Sequence, residues 1–141
     1  MALGNKSVIL IVDDDPSVAR TLAAVLVQAG YSAVVAGSRE QAIELMSGVA
    51  ADIALVDVHL PDSDGITLAR EICKRVPDCK ILLMTGNTEA SEWVKTAMEK
   101  GLEFEVFAKP IPPPELLERL SSLLPTRKES LIGSHRKRRV G

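Results

Sequence analysis

Two kinds of apolar pattern alternate along the chain. Short, largely apolar runs recur at Val8–Val12, Ala33–Ala36, Ile53–Val58, Ile81–Met84 and Val106–Ala108. Several are rich in β-branched residues, the pattern of strands buried on both faces of a parallel sheet. Longer segments between them repeat about every 3.6 residues, as an amphipathic helix does. Val18, Leu22, Val25, Leu26 and Ala29 form one such stripe. Ala69, Ile72 and Val76 form another, then Val94, Ala97 and Gly101, then Leu116, Leu120, Leu123 and Leu124.

The punctuation agrees. Asp15-Pro16 reads as an N-cap followed by proline in the first turn, and Gly30 as the end of that helix. Ser38 and Gln41 have capping-box spacing ahead of Ala42, Ile43 and Met46. Pro77 closes the third helix, and Pro112, Pro113 and Pro114 precede the fifth, whose first turn carries Glu115. Strand and helix therefore alternate five times. The expected fold is α/β, a doubly wound five-stranded parallel sheet with helices on both faces.

Charge divides the chain unevenly. Residues 125–141 carry six basic side chains against one acid, which leaves eleven basic and eighteen acidic groups in residues 1–124. The expected organisation is one domain over 1–124 and a basic flexible tail or linker start over 125–141. An acidic body is a poor partner for nucleic acid, so direct nucleic-acid binding is not expected of it. Aromatics at 3% leave an aliphatic core and too few rings for a single-strand stacking surface. Cys73 and Cys79 are too few for a disulfide framework and lack zinc spacing, which favours reduced thiols. No apolar run approaches the roughly 18 residues of a membrane helix, and the first ends in three aspartates, unlike a secretory leader. A cytoplasmic protein without a membrane segment is expected.

Ligands of open α/β sheets bind beyond the carboxyl ends of the strands. There the first run ends in Asp13, Asp14 and Asp15, the third in Asp57, the fourth in Thr85-Gly86 and the fifth in Lys109-Pro110. Converging carboxylates repel by about 4 kcal/mol per close pair at an effective dielectric near 20. They require cations: Lys109 supplies one charge, and a hard divalent ion such as magnesium (Mg2+) suits oxygen ligands. A metal, a lysine and a hydroxyl suit a phosphoryl group, and Asp57 could attack phosphorus to form an acyl phosphate. Asp15 reads as a helix cap.

At these residues the sequence resembles the receiver (CheY-like) domain of two-component response regulators, a phosphorelay family. The resemblance rests on VILIVDDDP, ALVDVHLPDSDG, ILLMTG and FAKP, in order and near the family's spacing, and covers roughly residues 6–124. It implies the flavodoxin-like strand order 2-1-3-4-5. It implies that Asp57 accepts a phosphoryl group. Asp13, Asp14 and Asp57, with the His59 backbone carbonyl, would hold magnesium. Thr85 would hydrogen-bond the phosphoryl group and Lys109 would pair first with Asp57, with Lys109-Pro110 a cis peptide. Asp62, Asp64 and Gly65 fit the loop after Asp57, where glycine permits a tight turn.

The implied partners are a sensor histidine kinase or phosphotransfer protein upstream, and a protein or output domain downstream. Downstream contact would use the fourth helix, fifth strand and fifth helix. A phosphorylation-driven homodimer is compatible with the resemblance. Three departures stand out. Gly86 replaces a usual small side chain, Val106 occupies the place of a usual aromatic, and the segment from Gly101 to Lys109 is about one residue longer than usual. Phe107 could take the aromatic's role only through a one-residue register shift, which turns a side chain to the opposite face. Asn87 and the His59 side chain are candidates for tuning hydrolysis, and Trp93 for helix packing.

Turnover of an external substrate is not expected. An aspartate-nucleophile phosphatase of the haloacid dehalogenase type needs a second acid where His59 stands. A receiver-like interaction module without phosphorylation remains the alternative. A nucleotide-binding domain is set aside for want of its glycine motifs.

Overall fold

The computed structural model describes residues 6–86 and 104–124. The stripe from Val94 to Gly101, Asn87, Trp93 and the basic tail lie outside the described residues. The chain divides into two compact units, Met1–Ile111 and Pro112–Gly141.

The first unit holds β1 (Val8–Val12), α1 (Pro16–Gln28), β2 (Ser32–Ala36), α2 (Arg39–Met46), β3 (Ile53–Asp57), α3 (Gly65–Arg75), β4 (Lys80–Thr85) and β5 (Glu105–Ala108). All pairings are parallel, and the strands lie in the order β2-β1-β3-β4-β5, as expected. Every residue of β3 and all but the first of β4 are buried. Strands covered on both faces have no polar side to alternate, which is why they read as continuous apolar runs. β3 ends one residue earlier than its apolar run, at Asp57, and β4 extends to Thr85. Both reactive candidates are thus the last residues of their strands.

Successive strand residues face opposite ways. Leu10, Val12, Ala54, Val56, Ile81 and Leu83 share one core cluster with α3's Leu68, Ala69 and Ile72, and with Ala42 of α2. The alternate residues include Ile9, Ile11, Leu55 and Met84, all fully buried. They face the α1 side, where Leu22 and Met84 line a common cavity. Helices therefore cover both faces.

Local chemistry fixes the helix ends. The Asp15 carboxylate accepts from the Ser17 and Val18 N–H groups at 2.9 and 3.4 Å, and Pro16 needs no acceptor. After α1, Gly30 has a φ of 100°. The Tyr31 N–H donates to the Leu26 carbonyl and the Gly30 N–H to the Val27 carbonyl, each at 3.0 Å. This is a Schellman closure. At α2 the capping box is only half formed. Ser38 accepts from Gln41 N–H, but the Gln41 side chain takes the N–H of Gly37 rather than that of Ser38.

The second unit, among its described residues, holds one helix, α4 (Pro113–Leu123), corresponding to the fifth helix expected from sequence. Pro113 and Pro114 lie inside its first turn rather than before it. Pro112 stands at the cap without a side-chain hydrogen bond, and two prolines leave two fewer donors to satisfy. Leu116 and Leu120 are buried.

Candidate functional site

The core contains three buried polar residues among those described: Asp13, Asp57 and Thr85, at 2%, 5% and 4% exposure. All three lie at carboxyl ends of neighbouring strands, two of them acids, so burial without partners would be costly. The backbone places them. Asp13 N–H donates to the Ala36 carbonyl at 3.0 Å, tying the end of β1 to the end of β2. Val58 N–H donates to the Met84 carbonyl at 2.9 Å, and Lys109 N–H to the Thr85 carbonyl at 2.8 Å.

Lys109 supplies the counter-charge. Its Nζ donates to Asp13 Oδ2 at 2.8 Å and to Asp57 Oδ2 at 2.9 Å. The expected pairing with Asp57 is present, and Asp13 is a second partner that sequence did not reveal. The other oxygens accept from the backbone: Asp13 Oδ1 from Asp15 N–H at 2.9 Å, and Asp57 Oδ1 from His59 N–H at 3.1 Å. Burial pushes the Asp57 carboxyl above its ordinary value, and the Lys109 and His59 hydrogen bonds offset only part of this. Burial works against the Lys109 ammonium, but its bonds to Asp13 and Asp57 outweigh that and hold its pKa above the ordinary value. The pocket keeps its lysine charged and leaves Asp57 short of stabilisation.

One cation does not balance three acids. Asp14 is exposed, yet it, Asp13 and Asp57 each offer an oxygen within 4.8 Å of the others. A cluster of hard oxygen donors fits a divalent ion of the magnesium type. Thr85 Oγ1 is buried and, among the described residues, has no hydrogen-bond partner. A hydroxyl so placed is a donor awaiting an acceptor. The His59 side chain is exposed. Lys109-Pro110 is cis. A Cβ at Gly86 would stand 3.9 Å from Lys109 Cε, so a side chain there would pack on the lysine.

The departure at position 106 is also resolved. β5 pairs Val106 with Leu83 and Phe107 with Met84. Val106 and Phe104 pack on the cluster containing Leu83, so the register is unshifted and Phe107 does not replace the aromatic.

Residues 9–121 match the Response regulator receiver domain family. The chain belongs to that family. It is 35% identical over 121 residues to the transcriptional regulatory protein AruR of Pseudomonas aeruginosa, covering 82% of this chain and 48% of that protein. The chain thus spans about half the length of the curated relatives it matches. Among solved structures it resembles a CheY-like receiver domain protein from Methanospirillum hungatei, with 25% identity and a TM-score of 0.73 over 94% of this chain and 100% of that one. A Burkholderia pseudomallei response regulator, solved with a phosphorylated aspartic acid, a calcium ion and citrate, shares 27% identity and a TM-score of 0.69, over 92% of this chain and 72% of that one. Among the described residues no helix is long and apolar enough to cross a membrane.

Two features of the site escaped the sequence. The Asp13–Lys109 contact joins residues 96 apart. Gly65 is required for space rather than for turn geometry. Its N–H donates to the Val58 carbonyl at 2.7 Å, and a Cβ there would stand 2.8 Å from Val58 Cα.

Proposed function

We propose that residues 1–124 are the phosphoacceptor module of a two-component relay, with Asp57 as the acceptor and 125–141 as a basic tail or linker. The observation that carries this is the bridging of two buried carboxylates, Asp13 and Asp57, by Lys109 Nζ beside a third acid, Asp14. The chain would take its phosphoryl group from a histidine kinase or phosphotransfer protein in the cytoplasm. It would turn over no external substrate.

Asp13, Asp14 and Asp57, with the His59 carbonyl, would hold magnesium. Bound there, the ion would neutralise the acids and the charge developing on phosphoryl oxygens. An Asp57 oxygen attacks the phosphorus of phosphohistidine. The phosphorus–nitrogen bond breaks, and the imidazole leaves with the electron pair and takes up a proton. Lys109 loses one oxygen of Asp57 as a partner and gains a phosphoryl oxygen. Thr85 Oγ1, buried and without a partner among the described residues, donates to another. That new bond favours one of two arrangements of the β4 end, which is how phosphorylation would be read.

The Burkholderia pseudomallei likeness supports the acceptor chemistry, because that protein carries a phosphorylated aspartic acid and a metal ion. AruR, roughly twice as long and named as a transcriptional regulator, weakens the expectation that nucleic acid is no partner. Such contact would belong to an output region rather than to the acidic body.

Incubation with acetyl phosphate and magnesium, followed by intact-mass measurement, should add one phosphoryl group. Asp57→Asn should abolish it. Equal incorporation in that variant would remove Asp57 as acceptor, and none in the parent protein would favour a receiver-like interaction module.

A further inference from the structure

The loop after Asp57 is held at its far end by a different part of the chain. Asp62 extends its carboxylate to the first turn of α2: Oδ1 accepts from Arg39 N–H at 2.9 Å and Oδ2 from Glu40 N–H at 3.1 Å. Ser38, the local cap, serves only Gln41 N–H, at 3.2 Å. The remote residue thus caps two donors and the local one caps one. The Arg39 side chain makes the grip two-sided. Its Nε and one terminal nitrogen donate to the two carboxylate oxygens of Glu71 on α3, each at 3.0 Å. Such paired guanidinium–carboxylate bonds fix orientation as well as distance. The Arg39 N–H bond holds the Asp62 carboxyl below its ordinary range, keeping it charged.

These bonds join the two buried acids by a second route. Asp13 N–H reaches Ala36 at the end of β2, and three residues later Arg39 N–H reaches Asp62. The loop runs back from Asp62 to His59, whose N–H reaches Asp57. His59 is therefore tied to Asp57 through its N–H, bridged to Asp64 across the base of the loop and, three residues on, anchored through Asp62 to α2. We propose that Asp62 is a positioning residue for metal binding, holding the loop so that the His59 carbonyl faces the ion. This rests on the function proposed above and adds a role that lies in neither the acids nor Lys109. The Asp62 carboxylate is engaged by the Arg39 and Glu40 N–H groups and is not among the residues proposed to hold the ion. It acts through the loop, as partners behind metal ligands do.

The test compares Asp62→Ala, Asp62→Asn and Ser38→Ala in the full chain. Magnesium affinity is read by calorimetry without phosphodonor, and stability by urea unfolding. Ser38→Ala weakens the start of the same helix but leaves the loop anchored, so it controls for a purely structural effect. Asp62→Ala should weaken magnesium binding about tenfold, the lower end for groups that orient metal ligands. Asp62→Asn, which keeps one of the two acceptor oxygens, should recover part of that and fall between the parent and Asp62→Ala. Ser38→Ala should leave affinity within about twofold of the parent while lowering stability. Parent-like affinity in Asp62→Ala, or an equal loss in Ser38→Ala, overturns the positioning role alone. A parent protein that binds no magnesium overturns the underlying function as well.

Discussion

Gly65 and Asp57 are packed backbone to backbone: a Cβ added at Gly65 would run into the Asp57 carbonyl oxygen. The first residue of α3 is thereby pressed against the last residue of β3, and the Gly65 N–H bond to Val58 clamps the contact. Backbone cannot rotate away as a side-chain end can. Gly65→Ala should destabilise the fold by about 3 kcal/mol, the upper part of the overpacking range. It should also slow phosphorylation from acetyl phosphate, because the displaced atoms belong to the proposed acceptor. Urea unfolding and an incorporation time course test both; parent-like stability would contradict the contact.

Asp57 makes the fold sensitive to pH. Its folded pKa is raised above the ordinary 3.8, mainly by burial, so the folded chain holds the proton more tightly than the unfolded chain. From 3.8 up to that raised value, stability without metal should fall as pH rises, because the folded state binds more protons there. Asp57→Asn should flatten this slope and be the more stable protein at neutral pH without metal. Added magnesium should narrow the gap. Urea unfolding from pH 3 to pH 8, with and without the ion, tests the sign.

Lys109→Met should expose the cost of the acids. The lysine side chain is only 18% exposed, and it partners carboxylates that are 0% and 7% exposed. Removing one member of such a cluster costs about 3 kcal/mol, because the remaining charges stay buried. The loss should shrink in acid, where the carboxylates take up protons, and in millimolar magnesium. A loss unaffected by either would show that the lysine acts by packing alone.

Thr85→Val separates stability from signalling. The hydroxyl is buried without a partner among the described residues, so replacing it with a methyl should leave the fold unchanged or gain about 1 kcal/mol. Phosphoryl incorporation should persist while the conformational response to it weakens. Comparing amide exchange with and without beryllofluoride in the two proteins measures that response. An unchanged response would remove Thr85 from the switch.

The buried thiol of Cys79 should be inert. Burial, reinforced by the neighbouring Cys73 and Asp52, pushes the Cys79 pKa up to about 12. Iodoacetamide at pH 8 should label Cys79 only after unfolding, as intact mass can report.

What the sequence disclosed and what it withheld follow one physical division. Runs such as Ile53–Val56 declare strands because burial on both faces leaves no polar positions, and Asp15-Pro16 declares a helix start because its partners are two and three residues away. Asp13, Asp57, Thr85 and Lys109 were legible as a group because each stands at a strand's carboxyl end. Contacts between distant segments were not. Asp62 looks like an ordinary turn acid, and only the fold brings it to Arg39, 23 residues earlier. Gly65 advertised flexibility, whereas the fold uses its lack of a side chain. Gln41 matched the capping box, yet its oxygen found Gly37 instead. The place of Val106 depended on strand register, which pairing with Leu83 fixes and periodicity alone does not.

Prolines occupy four of the five positions from Pro110 to Pro114, which leaves Ile111 as the single residue there with an amide hydrogen. Hydrogen–deuterium exchange and proton-detected amide spectra will therefore be nearly blind just beyond Lys109, the lysine that bridges the two buried acids. Carbon-detected resonances of the proline rings, or a fluorinated proline, are the reporters suited to that stretch.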